Sequence, residues 1–119
     1  MKGIIKKIDK VRQAFSDVVR NYPIDDVKWR RMIEAFRAVT SDEAFDRWPQ
    51  SLRFSITFLY DVLMFTPREQ ITKEMLVVVA KELRRISAWK GDWKECHIQV
   101  YEAIRATDFE TFPQPLEEH

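Results

Sequence analysis

The chain has 119 residues, 45% of them hydrophobic and 33% charged, with a net charge of +1. That length fits one domain. The hydrophobic share excludes a disordered chain, and the near-neutral balance removes any bulk case for nucleic acid. A single cysteine, Cys96, excludes an internal disulfide, and no apolar run reaches the roughly 18 residues of a membrane span.

Residues 4–22 repeat apolar side chains in steps of four and three: Ile4, Ile8, Val11, Phe15, Val18 and Tyr22, widened by Ile5 and Val19. This is the stripe of a core-facing helix, stopped by Pro23. Asp25 or Asp26 offers an N-cap to a second helix with Trp29, Met32, Ile33, Phe36 and Val39 on one face. Thr40 with Glu43 reads as a capping box for a short third helix carrying Phe45 and Trp48. Pro49 closes that helix or opens the next.

The stretch SLRFSITFLYDVLMF, residues 51–65, fits two structures. Alternate residues give the pattern of a half-buried strand. Helical spacing instead leaves a narrow polar strip of Gln50, Arg53, Thr57 and Asp61. Pro49 and Pro67 bound a segment longer than an ordinary strand, and no second run is available to pair with it. A central, mostly buried helix is therefore expected, with Phe54, Ile56, Phe58, Leu59 and Leu63 inside.

Thr66-Pro67-Arg68-Glu69 carries helix-start chemistry, and Thr72 is a second possible cap, allowing a short turn before the main helix. That helix buries Met75, Leu76, Val79, Leu83 and Ile86 and runs to Gly91. Asp92 with Glu95 caps the last helix, whose stripe is Trp93, Cys96, Val100, Ala103 and Ile104. The expected fold is all-α: a compact bundle of five or six helices with short connections over residues 1–107. An acidic, proline-containing extended C-terminal tail follows over 108–119. Its Phe109, Phe112 and Leu116 are too apolar for a freely solvated segment, so docking is expected.

Catalytic constellations are sparse. Cys96 and His97 are neighbours on a helix, point about 100° apart and cannot act on one another; a buried thiol and a hydrogen-bonded histidine at the rim of the core are expected. With only Gly3 and Gly91, no phosphate-cradling loop is available. Paired carboxylates such as Asp25–Asp26 and Asp42–Glu43 sit at helix starts, where capping explains them. Arg53 and Asp61 form either an exposed strip, an internal ion pair or a buried polar site. No catalytic residue, cofactor or metal site is assigned.

The charge distribution is less bland. Lys2, Lys6, Lys7 and Lys10 crowd the first turns of a helix, where its dipole disfavours cations. Arg30, Arg31 and Arg37 lie opposite the core stripe of the second helix, and Lys73, Lys81, Arg84 and Arg85 opposite that of the long helix after Thr72. Trp89 and Trp93, with Lys90 and Lys94, flank a turn. The expected interaction surface is Lys2, Lys6, Lys7, Lys10, Lys81, Arg84, Arg85, Trp89, Lys90, Trp93 and Lys94.

These features point to a non-enzymatic helical interaction protein, a small subunit or adaptor of a larger assembly. An alternative is a helical protein that binds a nucleic-acid backbone, within a nucleoprotein complex. A third is an enzyme with a carboxylate-based site. The 3-4 stripe of the first helix matches a coiled-coil seam, so a homo-oligomer with that helix at or near its interface is expected. The basic start lacks an apolar h-region and cysteine is scarce, so a cytoplasmic location is expected.

Overall fold

The computed structural model describes residues 2–107 and Phe109, without the side chains of Lys2 and Ile4. Helix α1, Lys2–Arg20, places Ile8, Val11, Phe15 and Val18 in the core. Helix α2, Asp26–Thr40, starts where the Asp25 side chain accepts from the Lys28 amide at 2.8 Å. It buries Met32, Ile33, Phe36 and Val39. Phe15 and Phe36 meet edge to face at 5.5 Å, which fixes the α1–α2 contact.

A 3-10 turn, Glu43–Arg47, follows. Its cap is Asp42, which accepts from the Ala44 amide, rather than the expected Thr40. Thr40 still belongs to α2 and donates to the Arg37 carbonyl.

Helix α3, Gln50–Phe65, resolves the ambiguous stretch: it is helical, and Pro49 stands at its N-cap position. Leu52, Ile56, Phe58, Leu59, Val62 and Leu63 are buried. Phe54 is not; it is 40% exposed. The reason is register: Phe54 lies four residues after Gln50, three before Thr57 and seven before Asp61, and so shares their outward strip.

Thr66 does not start the next helix; it is the C-cap of α3. Its hydroxyl donates to the Val62 carbonyl, closing the end of α3. A short 3-10 turn, Arg68–Gln70, precedes helix α4, Lys73–Ala88, whose cap is Thr72. The α4 helix ends before Gly91, because Trp89 is extended and its indole N–H donates to the Asp92 carbonyl at 2.9 Å. Gly91 supplies the positive φ of 113° that this turn requires. Asp92 then caps helix α5, Trp93–Arg105.

The fold is all-helical among the described residues, with five α-helices. Helix α1 packs against α2 and α4, α5 against α3 and α4, and α2 against α3. The apolar stripe of α1 is thus filled from within the chain by α2 and α4, which removes the coiled-coil seam as an argument for self-association. Phe109 is buried against the same core. Asp108 and residues 110–119 of the expected tail lie outside the described residues.

Candidate functional site

The sequence spaces Arg12, Ser16 and Arg20 four residues apart, along one flank of α1. On α4, Val77, Ala80, Lys81 and Arg84 occupy a similar flank. The two helices run antiparallel. The end of α1 meets the start of α4, where the Tyr22 hydroxyl donates to the Ile71 carbonyl at 3.4 Å. Their flanks therefore converge on one groove that encloses about 310 Å³. Its floor is apolar, formed by Val19, Val77 and Ala80; its walls carry Arg12, Arg20, Lys81 and Arg84. No acidic residue among the described residues lines it.

Only one of these cations is matched: Arg12 donates to Asp9 at 3.1 Å. Arg20, Lys81 and Arg84 have no acidic partner among the described residues. Like charges a helical turn apart cost a few tenths of a kcal/mol per pair. Fold stability does not call for this cluster. A negatively charged group seated between the two helices would relieve it.

The structure redistributes the expected interaction surface. Lys81 and Arg84 reach the groove, joined there by Arg12 and Arg20, which the sequence reading did not select. Arg85 does not join them. It donates to the buried carboxylate of Glu82 at 2.8 Å and to Gln99 at 2.6 Å, and the Glu82 hydrogen bond pushes its guanidinium further up. Lys7 is taken by Asp42, on the loop after α2. Lys6 and Lys10 are exposed, and the Lys2 side chain lies outside the described residues. Trp89 and Trp93 are half-buried and packed on the core; Lys90 and Lys94 are exposed beside them.

Arg53 and Asp61 do not pair. Arg53 donates to the Trp48 carbonyl at 3.1 Å. Asp61 is half-buried, and burial raises its carboxyl above the ordinary value.

A second polar constellation is internal. His97 is only 6% exposed, inside rather than at the rim of the core. Ser55 Oγ lies 3.0 Å from the Ser51 carbonyl and 3.0 Å from His97 Nδ1. A carbonyl can only accept, and the hydroxyl has one proton to give. The Ser55 proton therefore goes to Ser51, and His97 donates from Nδ1, an assignment that rests on this network. His97 Nε2 is left as a buried acceptor without a partner among the described residues. Phe54, Phe58 and Tyr101 pack around the imidazole, and burial lowers its pKa. Ser55 is wholly buried, so this pair joins α3 to α5 and offers no face to a substrate. Neighbouring Cys96 is buried as well, and burial pushes its thiol up to about 11.

No family model, curated protein or solved structure matches the chain. Among the described residues, no group of three or more His, Cys, Asp or Glu is placed to hold a metal ion. No helix among them is long and apolar enough to cross a membrane.

Proposed function

We propose that the protein is a non-enzymatic helical interaction module, a small subunit or adaptor, whose α1–α4 groove seats an acidic segment of a partner protein. The observation that carries this reading is the pairing of cationic walls with an apolar floor, in a groove without an acid among the described residues. Carboxylates on the occupant answer Arg20, Lys81 and Arg84. Small aliphatic side chains between them answer Val19, Val77 and Ala80.

A nucleic-acid backbone answers the walls alone. Proteins that hold single strands add exposed aromatic rings on which bases stack, and no aromatic side chain among the described residues lines this groove. Asp25, Asp42 and Asp92 serve as caps, each accepting from a backbone amide at a helix start.

The test is fluorescence anisotropy with a labelled peptide of alternating glutamate and leucine pairs, run beside single-stranded and duplex oligonucleotides. Binding of the peptide, weakened steeply by salt and lost in Arg20→Glu/Arg84→Glu, is the expected result. Binding of an oligonucleotide without the peptide would replace this reading with the nucleic-acid one. Binding of neither would remove both.

A further inference from the structure

We infer that the protein forms a homodimer in which helix α2 of each copy lies antiparallel in the α2–α3 cleft of the other. This surface shares no residue with the α1–α4 groove, so the two sites stand or fall separately.

The recognition is written along one helix. Asp26, Arg30, Glu34 and Arg37 alternate in sign along α2, and all four are exposed. At 100° per residue they fall within about 80° of arc, while Lys28 and Arg31 project at least about 60° beyond that strip. Read backwards, the series minus, plus, minus, plus becomes plus, minus, plus, minus. An antiparallel second copy therefore sets Asp26 against Arg37 and Arg30 against Glu34, in both directions at once. The centres of these two pairings differ by half a residue, less than about 1 Å of helix. A parallel copy in register would set every charge against its like. Such reciprocity, in which one residue meets a second and the second meets the first, is the requirement of a twofold interface.

The inner two charges are available for it. Arg30 and Glu34 are one helical turn apart and opposite in sign, yet neither forms an ion pair among the described residues. The outer two have partners within the chain and capacity to spare. Arg37 donates to the Tyr60 hydroxyl through Nε, and Asp26 accepts from Arg68 through one oxygen. That leaves two guanidinium nitrogens and a second carboxylate oxygen.

The seat lies between these two ties. Arg37 meets Tyr60 at 3.0 Å, and Arg68 stacks over Trp29 at 5.4 Å, so α2 and α3 run antiparallel. Between them the helices leave a cleft of about 490 Å³, floored by Trp29, Ile33 and Met64. Met64 is 43% exposed and stands level with Ile33, beside the centre of the charge series. An apolar centre within a charged rim is the usual anatomy of a protein interface, and an unbranched thioether adapts to the side chains it meets. The series covers about 16 Å of helix, which is short of a standard interface, so the dimer is a weak and reversible one.

Sedimentation equilibrium of the full chain at low salt tests this. The unaltered chain should show a monomer–dimer equilibrium that added salt weakens. Arg30→Glu and Glu34→Arg should each weaken it by at least about ten-fold, because each brings like charges together twice. Arg30→Glu/Glu34→Arg within one chain restores opposite charges at both contacts and should return the dissociation constant close to that of the unaltered chain. Mixed in equal amounts, the two single variants should form a heterodimer tighter than either variant forms alone. Both positions are exposed, so the fold is preserved throughout. A monomer up to millimolar concentration, a dimer indifferent to the single changes, or a loss that either the swap or the mixture fails to rescue overturns the inference.

Discussion

Ser55→Ala removes the one hydrogen-bond partner that the buried His97 imidazole has among the described residues. In the native chain His97 donates from Nδ1 to Ser55, and Nε2 already lacks a partner. The substitution leaves both ring nitrogens unsatisfied inside a ring of aromatic side chains. An unsatisfied buried polar group costs about 1–3 kcal/mol. The methyl that replaces the hydroxyl opens only a small void, so the cost arises from the histidine and not from the serine site itself. Replacing both partners is the informative step. In Ser55→Ala/His97→Leu no polar atom is stranded, and removing both members of a buried pair is often close to neutral. The double variant is expected to be more stable than Ser55→Ala alone, although more of the native structure has been altered. Urea unfolding with unchanged m-values measures both. For a chain of this size each kcal/mol is worth roughly 3–6 °C in Tm. A cost below about 0.5 kcal/mol for Ser55→Ala, or a double variant less stable than the single, would refute the reasoning from this pair.

Three further outcomes follow from burial. Burial lowers the pKa of His97 below its ordinary 6.5, so under acid the unfolded chain binds the proton first. Stability contributed by neutral His97 is therefore complete above about pH 6.5 and declines as pH falls toward the lower folded value; Tm at pH 7.5 and 5.5 should differ less in His97→Leu than in the unaltered chain, and an identical difference would exclude His97 as the source. The Cys96 thiol, buried and pushed up to about 11, should react with a thiol reagent at neutral pH only at the rate of unfolding; reaction within mixing time would contradict its burial. Leu59, wholly buried on α3, should cost about 2–5 kcal/mol as Leu59→Ala in the same urea assay; a cost under about 1 kcal/mol would mean that α3 is not the centre of the core.

Much of the fold is local and so was legible in the sequence. The stripes of α1, α2, α4 and α5, the aspartate caps and the turn at Gly91 all follow from spacing within one segment. The helical state of residues 51–65 followed from length and the lack of a strand partner. Phe54 did not follow, because an aromatic side chain on a polar strip looks like core until the register is applied to it. The site was less legible, because it is made by helices far apart in the chain. Lys81 and Arg84 were read as part of a basic face on α4, whereas Arg12, Ser16 and Arg20, four residues apart on α1, were not selected. Their juxtaposition depends on α1 lying antiparallel on α4, which no local spacing encodes. Ser55 and His97 are likewise 42 residues apart, so the hydrogen bond that draws the histidine inward has no local signature. The loss of Arg85 to Glu82, three residues earlier, was readable as an i,i+3 pair on one helix face.

The groove itself is tested most directly by mapping where an acidic peptide touches the protein. Backbone amide shifts of the ¹⁵N-labelled full chain would be followed as the glutamate–leucine peptide is added at low salt. The largest changes are expected along Arg12, Ser16 and Arg20 of α1 and Val77, Lys81 and Arg84 of α4, and they should vanish with Arg20→Glu/Arg84→Glu. Changes gathered instead around the exposed Phe54 and Ile98 of α3 and α5, or no change at saturating peptide, would contradict the assignment of the α1–α4 groove as the binding surface.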